Sequence, residues 1–357
     1  MQSHLGGAER SHESDIPGHT PTPARPSAGS VVPVPSAPTQ TEFSHRPALL
    51  EECLAALELQ PGAIVVDGTV GGGGHAAAIL ERTAPDGRLI GLDLDGEAIR
   101  ESQQRLETFG DRVTLIHESF RNLVAVLAHL EVPQVDAVLL DLGVSSHQLD
   151  SPKRGFRFAT ETAEETPLDM RMDQRAGATA ADLLRRARPE QLEKWFSDYA
   201  DLPKARKLAR AIVAARQRAP LRTASDLRAV IADARIGSGR RHDPSTLVFQ
   251  ALRIAVNDEA NALSEGLEAA IDSLRVGGRL AVLAYHSGED RVVKNRLRDA
   301  ARGCTCPPRT PVCICGGKVR LRIITRRPLS ASDTELRENP RARSARLRVA
   351  ERVAEAS

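Results

Sequence analysis

The segment Asp67–His75, with the sequence Asp-Gly-Thr-Val-Gly-Gly-Gly-Gly-His, constrains the fold of this chain more than any other segment. The apolar run 63–66 precedes it, and the helix-compatible run 76–80 follows it. A strand, a glycine-rich turn and a helix in this order allow backbone N–H groups to close around a cofactor. A second apolar run, 88–92, ends in Asp93, where an acidic side chain can accept hydrogen bonds from ribose hydroxyls. The pattern therefore predicts a nucleoside-containing cofactor and leaves its identity open.

Strand and helix patterns alternate through the first half of the chain. The predicted strands cover 63–67, 88–93, 112–116 and 135–140, and the predicted helices cover 75–83, 95–108 and 119–130. This rhythm predicts an α/β, Rossmann-like fold with a mostly parallel, doubly wound sheet. Between about 150 and 243 the patterns predict only loops and helices, before apolar runs at 278–284 and 319–325 predict further strands. The sheet is therefore expected to be interrupted by an all-helical insertion.

Composition and pattern together divide the chain into four parts. Residues 1–42 are rich in Pro, Ser, Thr and Gly and are expected to be a disordered tail. The cofactor-binding domain is predicted at 43–149 and 244–328, with the helical insertion at 150–243. The last segment, 329–357, is predicted to be a basic C-terminal tail.

The formal net charge of +2 hides a strong asymmetry along the chain. Residues 43–150 contain 7 Lys and Arg against 17 Asp and Glu, whereas residues 151–245 contain 20 against 13. Residues 291–357 contain 17 against 6. Basic segments beside an acidic cofactor domain suit a polyanionic substrate such as RNA. Ordinary solvated Arg-rich helices would give the same count, so charge alone leaves both interpretations open.

Cysteine usage and hydropathy bear on metal binding and location. Cys304, Cys306, Cys313 and Cys315 form two Cys-x-Cys pairs, which in a cytosolic chain suggest a metal before a disulfide. The single intervening residue is tighter than in common zinc sites, so a loop of reduced thiols remains an alternative. No apolar run approaches the ~20 residues of a membrane helix, and the N-terminus lacks the apolar core of a signal peptide. A soluble, cytoplasmic protein without a membrane partner is expected.

Polar residues follow four of the predicted strands, and such strand ends meet at one edge of an open α/β sheet. The four groups are Asp67–His75, Asp93, Asp141–Ser146 and Tyr285–Arg291. His75 could contact a ligand or cap its helix, and Phe120 could pack on an adenine or in the core. Asp141 could position an amine, and the hydroxyls of Ser145 and Ser146 could donate or accept. Phe156 and Phe158, flanked by Arg154 and Arg157, could stack on a base or anchor a loop.

Seven motifs together resemble one family, the bacterial small-subunit ribosomal RNA (cytosine-N4) methyltransferases of the class I, S-adenosylmethionine-dependent type. The resemblance covers roughly residues 43–353 and depends on the order and spacing of these motifs. They are Asp67–His75, Leu139–Ser146, Arg154–Phe158, Pro167–Asp173, Thr246–Asn257, His286–Arg291 and Asn339–Ser344. One departure is Gly288, where the family usually has leucine, which puts the packing of that loop in doubt.

The resemblance implies methyl transfer from S-adenosylmethionine to the exocyclic N4 of a cytidine in the decoding region of 16S ribosomal RNA. The partner it implies is 16S rRNA within the small ribosomal subunit; the oligomeric state stays open, with a dimer among the alternatives. Asp141 and Ser146 are our candidates for the catalytic residues. The family's cofactor contacts carry over to seven positions: Gly73, Gly74, His75, Asp93, Phe120, Asp141 and Gln148.

Two other functions fit parts of the sequence. Gly71–Ala76 nominally matches the glycine pattern of a Rossmann oxidoreductase that uses NAD, although no hydride-transfer acid follows it. A non-catalytic RNA-binding assembly factor could also retain the fold. Binding of NAD instead of S-adenosylmethionine would distinguish the first, and loss of methyl transfer on mutation of Asp141 would exclude the second.

Overall fold

The structure is a computed structural model, and it describes residues 47–157, 166–175, 177–236, 243–303, 306, 311–312, 315 and 317–354. These residues lie in one unit, His45–Ser357. The predicted disordered tail at 1–42 lies outside the described residues. The division of the chain into four parts stays a prediction, except at its C-terminal end.

The strands of the described part are β1 (Ile64–Asp67), β2 (Arg88–Asp93), β3 (Val113–His117), β4 (Val135–Asp141), β5 (Leu274–Ala284), β6 (Leu321–Ile323) and β7 (Arg346–Arg352). They form one sheet in the order β3-β2-β1-β4-β5-β7-β6. Strands β1 to β5 are parallel, and β7 runs antiparallel to both β5 and β6. The order of the first five is that of the Rossmann fold, which confirms the predicted mostly parallel α/β sheet.

The helices are α1 (Leu50–Leu57), α2 (Gly74–Arg82), α3 (Gly96–Arg105), α4 (Leu123–His129), α5 (Ser146–Asp150), α6 (Ala180–Arg186), α7 (Pro189–Asp198), α8 (Ala205–Arg218), α9 (Ala224–Asp233), α10 (Pro244–Asn257), α11 (Glu259–Ser273), α12 (Ser287–Arg302) and α13 (Asp333–Glu338). Two apolar cores lie on opposite faces of the sheet. Adjacent residues Leu139 and Leu140 enter different cores, because side chains alternate across a strand. Burial on both faces explains why the central strands are continuous apolar runs.

Helices α6 to α9 fill most of the segment predicted as all-helical. Thr179 and Thr223 each form a capping box with an aspartate three residues later, which fixes where α6 and α9 begin. Their apolar faces form a third core with α10, which includes Phe196, Leu208 and Leu252. Asp258, whose φ of 51° lies in the left-handed region, ends α10 and separates it from α11.

The prediction of a basic tail at 329–357 was wrong, because this segment contains β7. Leu347 and Val349 are fully buried, and Arg348, on the same strand, is only 8% exposed. Its Nε donates to Asp290 Oδ1 at 2.6 Å, and its Nη2 donates to Asp290 Oδ2 at 3.1 Å. The tail was predicted from the number of arginines, but the segment also has the alternation of apolar and charged residues that is typical of a strand. No described helix is long and apolar enough to cross a membrane.

Candidate active site at the carboxyl ends of the strands

The carboxyl ends of the parallel strands bring the predicted acidic residues to one edge of the sheet. Asp67 ends β1, Asp93 ends β2 and Asp141 ends β4. Tyr285 follows β5 directly and completes the row. The register pairs Asp141 with Leu283, two residues before Tyr285. The four side chains therefore come from four different strands and meet only in the folded chain.

The glycine-rich turn joins β1 to α2 in a conformation that needs glycine. Gly71 and Gly73 have φ values of 51° and 77°, in the left-handed region where a side chain is strained. A Cβ at Gly74 would lie 2.5 Å from the Pro47 ring. No side chain of the described residues caps α2, so N–H groups of its first turn remain available to a ligand. This bare helix N-terminus fits a nucleoside cofactor at the strand edge.

Asp93, at the end of β2, holds the same glycine-rich turn in place by hydrogen bonding. Its Oδ2 accepts a hydrogen bond from Gly71 N at 2.9 Å, and its Oδ1 accepts one from Asp95 N at 2.8 Å. Each oxygen retains a lone pair that a ribose hydroxyl could use. Burial raises the pKa of Asp93 to about 6, so the carboxylate is ionised at neutral pH.

Asp141 lies at the centre of a partly buried group of polar side chains. The Tyr285 hydroxyl donates to Asp141 Oδ1 at 2.8 Å, and His75 Nδ1 lies 3.6 Å from Asp141 Oδ2. The backbone N–H of Asp141 donates to Thr69 Oγ1 at 2.6 Å, which ties the end of β4 to the cofactor turn. Burial raises the pKa of Asp141, and this makes its carboxylate a stronger base than an exposed aspartate.

His75 faces the protein interior and pairs with Asp141. Its Nε2 lies 3.2 Å from the carbonyl oxygen of Ala48, a contact that requires a proton on Nε2. Burial lowers the pKa of His75, so the neutral ring directs the lone pair of Nδ1 towards Asp141. A proton taken up by Asp141 would lie between these two groups. Contact between His75 and the cofactor remains a prediction.

Asp67 gives a prediction for stability. Burial raises the pKa of Asp67 to about 8, against 3.8 for an ordinary aspartate. Between these two pH values the folded chain keeps the Asp67 proton, whereas the unfolded chain loses it. Unfolding therefore becomes more favourable as pH rises from about 4 to about 8. We expect Asp67→Asn to gain stability relative to the wild type with rising pH, by up to about 1.4 kcal/mol per pH unit. Urea titrations of both cofactor-free proteins between about pH 5 and about pH 7 measure this difference, and a constant difference would contradict the prediction.

Gln148 belongs to a second buried network beside the cofactor turn. Its Nε2 donates to Asp95 Oδ2 at 2.8 Å, and its Oε1 accepts from Ser145 N at 3.0 Å. Arg154 Nη2 lies 2.7 Å from Asp95 Oδ2, and its Nη1 lies 2.5 Å from Glu97 Oε2. Asp95 also caps α3 by accepting from Glu97 N. The network therefore fixes the start of α3, directly after the predicted ribose-binding Asp93.

Charged side chains on either side of the break between α10 and α11 hold the loop that follows β5 in place. Arg253 donates to both oxygens of Glu259 at 2.8 Å. Glu289 Oε1 lies 3.6 Å from Arg253 Nη2 and 3.0 Å from His286 Nε2, while Glu289 Oε2 accepts from Tyr285 N at 2.9 Å. These contacts position Tyr285 against Asp141.

The remaining predicted residues have different outcomes. Phe120 packs against α11, where its ring lies so close to Gly266 that an added Cβ at that glycine would be 2.2 Å away. Contact between Phe120 and an adenine stays a prediction. Ser146 begins α5, but its side chain is not described. Phe156 is buried, with the Arg154 guanidinium 5.7 Å from its ring centre, as expected of a loop anchor. Phe158 lies outside the described residues.

Two of the four cysteines of the suggested zinc site, Cys304 and Cys313, also lie outside the described residues. Zinc binding therefore stays untested. Cys53 is buried in α1, as expected of a small core residue.

A model of the MraW methylase family matches residues 42–353. This chain belongs to the MraW methylase family. Among its relatives, "Ribosomal RNA small subunit methyltransferase H" of Heliobacterium mobile is 49% identical over 315 residues, which cover 87% of this chain and 100% of that protein. The protein of the same name from Syntrophotalea carbinolica is 48% identical over 317 residues, which cover 88% of this chain and 100% of that protein.

A solved rRNA methylase from Streptococcus thermophilus covers 87% of this chain and 99% of its own, at 15% identity and a TM-score of 0.38, too low for any inference. Membership of the MraW methylase family makes the sheet that of a class I methyltransferase and S-adenosylmethionine the cofactor. The alternative of an NAD-dependent oxidoreductase is thereby excluded. The sequence pattern indicates the Tyr285–Arg291 strand end but gives Tyr285 no role, because its bond to Asp141 forms only in the folded chain.

Proposed function

We propose that this methylase transfers a methyl group to the exocyclic N4 of a cytidine in the decoding region of 16S ribosomal RNA. The relatives are named as methyltransferases of small-subunit ribosomal RNA, and the motifs resemble those of cytosine-N4 enzymes. The observation that carries the proposal is the partly buried Asp141 carboxylate at the end of β4, between Tyr285 and His75. The backbone N–H of Asp141 also bonds to Thr69 of the cofactor turn. A base in this position can serve an amine that loses a proton as it is methylated.

S-adenosylmethionine supplies an electrophilic methyl group on a positively charged sulfur. The seven residues proposed to hold it are Gly73, Gly74, His75, Asp93, Phe120, Asp141 and Gln148. The α2 N-terminus offers N–H donors, and the Asp93 carboxylate accepts from the ribose. Gln148 acts through Asp95, to which its Nε2 donates, while its Oε1 accepts from Ser145 N. Fixed side chains at the strand ends reduce the entropy cost of bringing amine and methyl group into line.

Asp141 and Ser146 are the proposed catalytic residues. The N4 lone pair is delocalised into the cytosine ring, so a hydrogen-bond acceptor that favours a more tetrahedral amine makes it more nucleophilic. When N4 takes the methyl group, the methyl–sulfur bond would break and neutral S-adenosylhomocysteine would leave. N4 then loses a proton to the Asp141 carboxylate, and the neutral His75 ring can share it. Tyr285 orients the carboxylate through its hydroxyl. Ser146 begins α5, five residues after Asp141 along the chain, and is proposed to hydrogen-bond the same amine.

The proposed partner is 16S rRNA within the small ribosomal subunit. A base has to leave its stack to reach a partly buried acceptor at a strand end. The excess of arginine and lysine in residues 151–245 and 291–357 suits the phosphates around such a base.

Nucleoside mass spectrometry of 16S rRNA from cells lacking this protein tests the proposal. We expect N4-methylated cytidine to fall to background and to return when the wild-type chain is supplied. Unchanged N4-methylated cytidine in the deletion strain would refute the proposed substrate. A chain that restores growth but not the modified base would support a non-catalytic assembly factor.

Asp93 gives a prediction for cofactor affinity. Because burial raises its pKa to about 6, the ionised form that accepts ribose hydroxyls dominates above that pH and is lost below it. We expect S-adenosylmethionine affinity to fall as pH is lowered through 6. Asp93→Asn should bind about 1.5–3 kcal/mol more weakly at pH well above 6, since a charge-assisted hydrogen bond is lost. Isothermal titration measures both, and Asp111→Asn, an exposed change, serves as the control. Equal wild-type affinity on both sides of pH 6 would exclude this role.

A further inference from the structure

A polar cavity of about 280 Å³ lies immediately beside Tyr285. Its wall includes Tyr285, His286, Ser287, Ser330, Arg343 and Ser344. Tyr285 also donates to Asp141, so a single side chain separates the cavity from the proposed base. Residues from three separate segments line the cavity, and the fold brings these segments together around the start of α12 and the 3-10 helix Pro340–Ser344.

The charge in this cavity is positive. Arg343 is exposed and has no ion-pair or hydrogen-bond partner among the described residues. Arg346 also lines the cavity, with its Nη1 3.3 Å from Asp290 Oδ2. That carboxylate is already neutralised by two bonds from Arg348. The nearby Glu289 is directed towards His286 and Arg253. The Arg343 guanidinium is therefore left without a counter-charge.

The first turn of α12 adds hydrogen-bond donors to this charge. The helix has 16 residues and begins at Ser287, on the cavity wall. His286 caps this helix by accepting from Glu289 N. The N–H groups of Ser287 and Gly288, together with the helix dipole, are therefore what the N-terminus offers to an anion. The hydroxyls of Ser287, Ser330 and Ser344 supply further donors. A guanidinium, a long helix and three hydroxyls around one space match the donors that a phosphate oxygen needs.

We infer that this cavity binds a backbone phosphate of the RNA next to the target nucleotide. The inference rests on the proposed function and adds a phosphate subsite to it, held chiefly by Arg343. A phosphodiester anchored beside Tyr285 would fix the sugar of the flipped nucleotide while its base reaches Asp141. Phosphate contacts set register and orientation without reading sequence, so this subsite contributes affinity and position and not base specificity.

The test measures RNA binding by the full-length protein in the presence of S-adenosylhomocysteine. Fluorescence anisotropy follows a short, labelled, single-stranded oligocytidine RNA over a series of KCl concentrations. We expect Arg343→Gln to weaken binding roughly 5-fold at low salt and to reduce the slope of log K against log salt by ~0.7, the value for one phosphate of a single strand. Arg343→Lys keeps the charge and should retain most of the slope. Arg88→Gln is the matched control, because Arg88 is equally exposed but lies at the amino end of β2, on the opposite edge of the sheet.

A slope for Arg343→Gln equal to that of the wild type and of Arg88→Gln would overturn the phosphate subsite. Methyl transfer by the wild-type protein to ribosomal RNA is measured in parallel. Absence of that transfer would count against the proposed function, whereas transfer with an unchanged slope would remove only the subsite. Thermal melting of each variant identifies any loss of folding, which is not expected for an exposed arginine without a partner.

Discussion

Asp141→Asn is expected to lower the kcat of methyl transfer by about 10²–10⁴-fold, the contribution typical of a positioned general base. Asparagine keeps the size of the side chain and can still accept from the Tyr285 hydroxyl, which now lies 2.8 Å from Asp141 Oδ1. It cannot take up the N4 proton. Radiolabelled methyl transfer to ribosomal RNA at saturating cofactor measures kcat, and isothermal titration measures S-adenosylmethionine binding separately.

Two further variants separate chemistry from folding in this experiment. Tyr285→Phe removes the hydroxyl that orients Asp141 and should cause a smaller loss of kcat, with cofactor affinity almost unchanged. Asp111→Asn changes an exposed aspartate outside the site and should leave kcat at the wild-type value. If Asp141→Asn retained full kcat while binding cofactor and RNA, the assignment of Asp141 as the base would fail.

Arg154→Met is expected to lower the free energy of unfolding by about 3–5 kcal/mol, because it leaves the buried Asp95 and the half-buried Glu97 without their counter-charge. Arg154 is only 2% exposed and lies within 2.7 Å of both Asp95 and Glu97. Its Nη2 also donates to the carbonyl oxygens of Arg171 and Met172, each at 3.1 Å. Methionine has a similar length and no charge, so the loss reflects the broken network and not a cavity. Urea unfolding followed by circular dichroism and Trp195 fluorescence measures it.

Arg157→Met is the matched control for this change. Arg157 lies in the same loop, three residues further on, but is exposed, so its replacement should shift stability by less than about 0.5 kcal/mol. Since Asp95 caps α3 beside the cofactor turn, Arg154→Met should also weaken S-adenosylmethionine binding. Equal stability of the Arg154 and Arg157 variants would show that the network contributes little.

Local sequence was sufficient for the elements whose signals are local. The strands at 64–67, 88–93 and 135–141 were predicted to within one residue, because buried parallel strands are continuous apolar runs bounded by glycine and aspartate. Helix α7 begins at Pro189 and α9 begins after the Thr223 cap, and both residues are local sequence signals of a helix start. Where local signals conflicted with long-range pairing, prediction failed. The arginines around β7 indicated a tail until pairing with β5 buried the alternate apolar residues.

The sequence by itself determined that a glycine-rich turn and several acidic side chains would meet at one edge of a parallel sheet, because strand polarity imposes this. Only the tertiary structure decided which groups touch. Tyr285 reaches Asp141 across 144 residues of sequence, and Arg154 reaches Asp95 and Glu97 from a loop more than fifty residues away. Such contacts depend on how helices and loops pack over the sheet, which local periodicity does not encode. The turn at Asp67–His75 therefore predicted a cofactor site. The fold supplied the burial that raises the pKa of Asp141 and the partners, Tyr285 and His75, that hold its carboxylate in place.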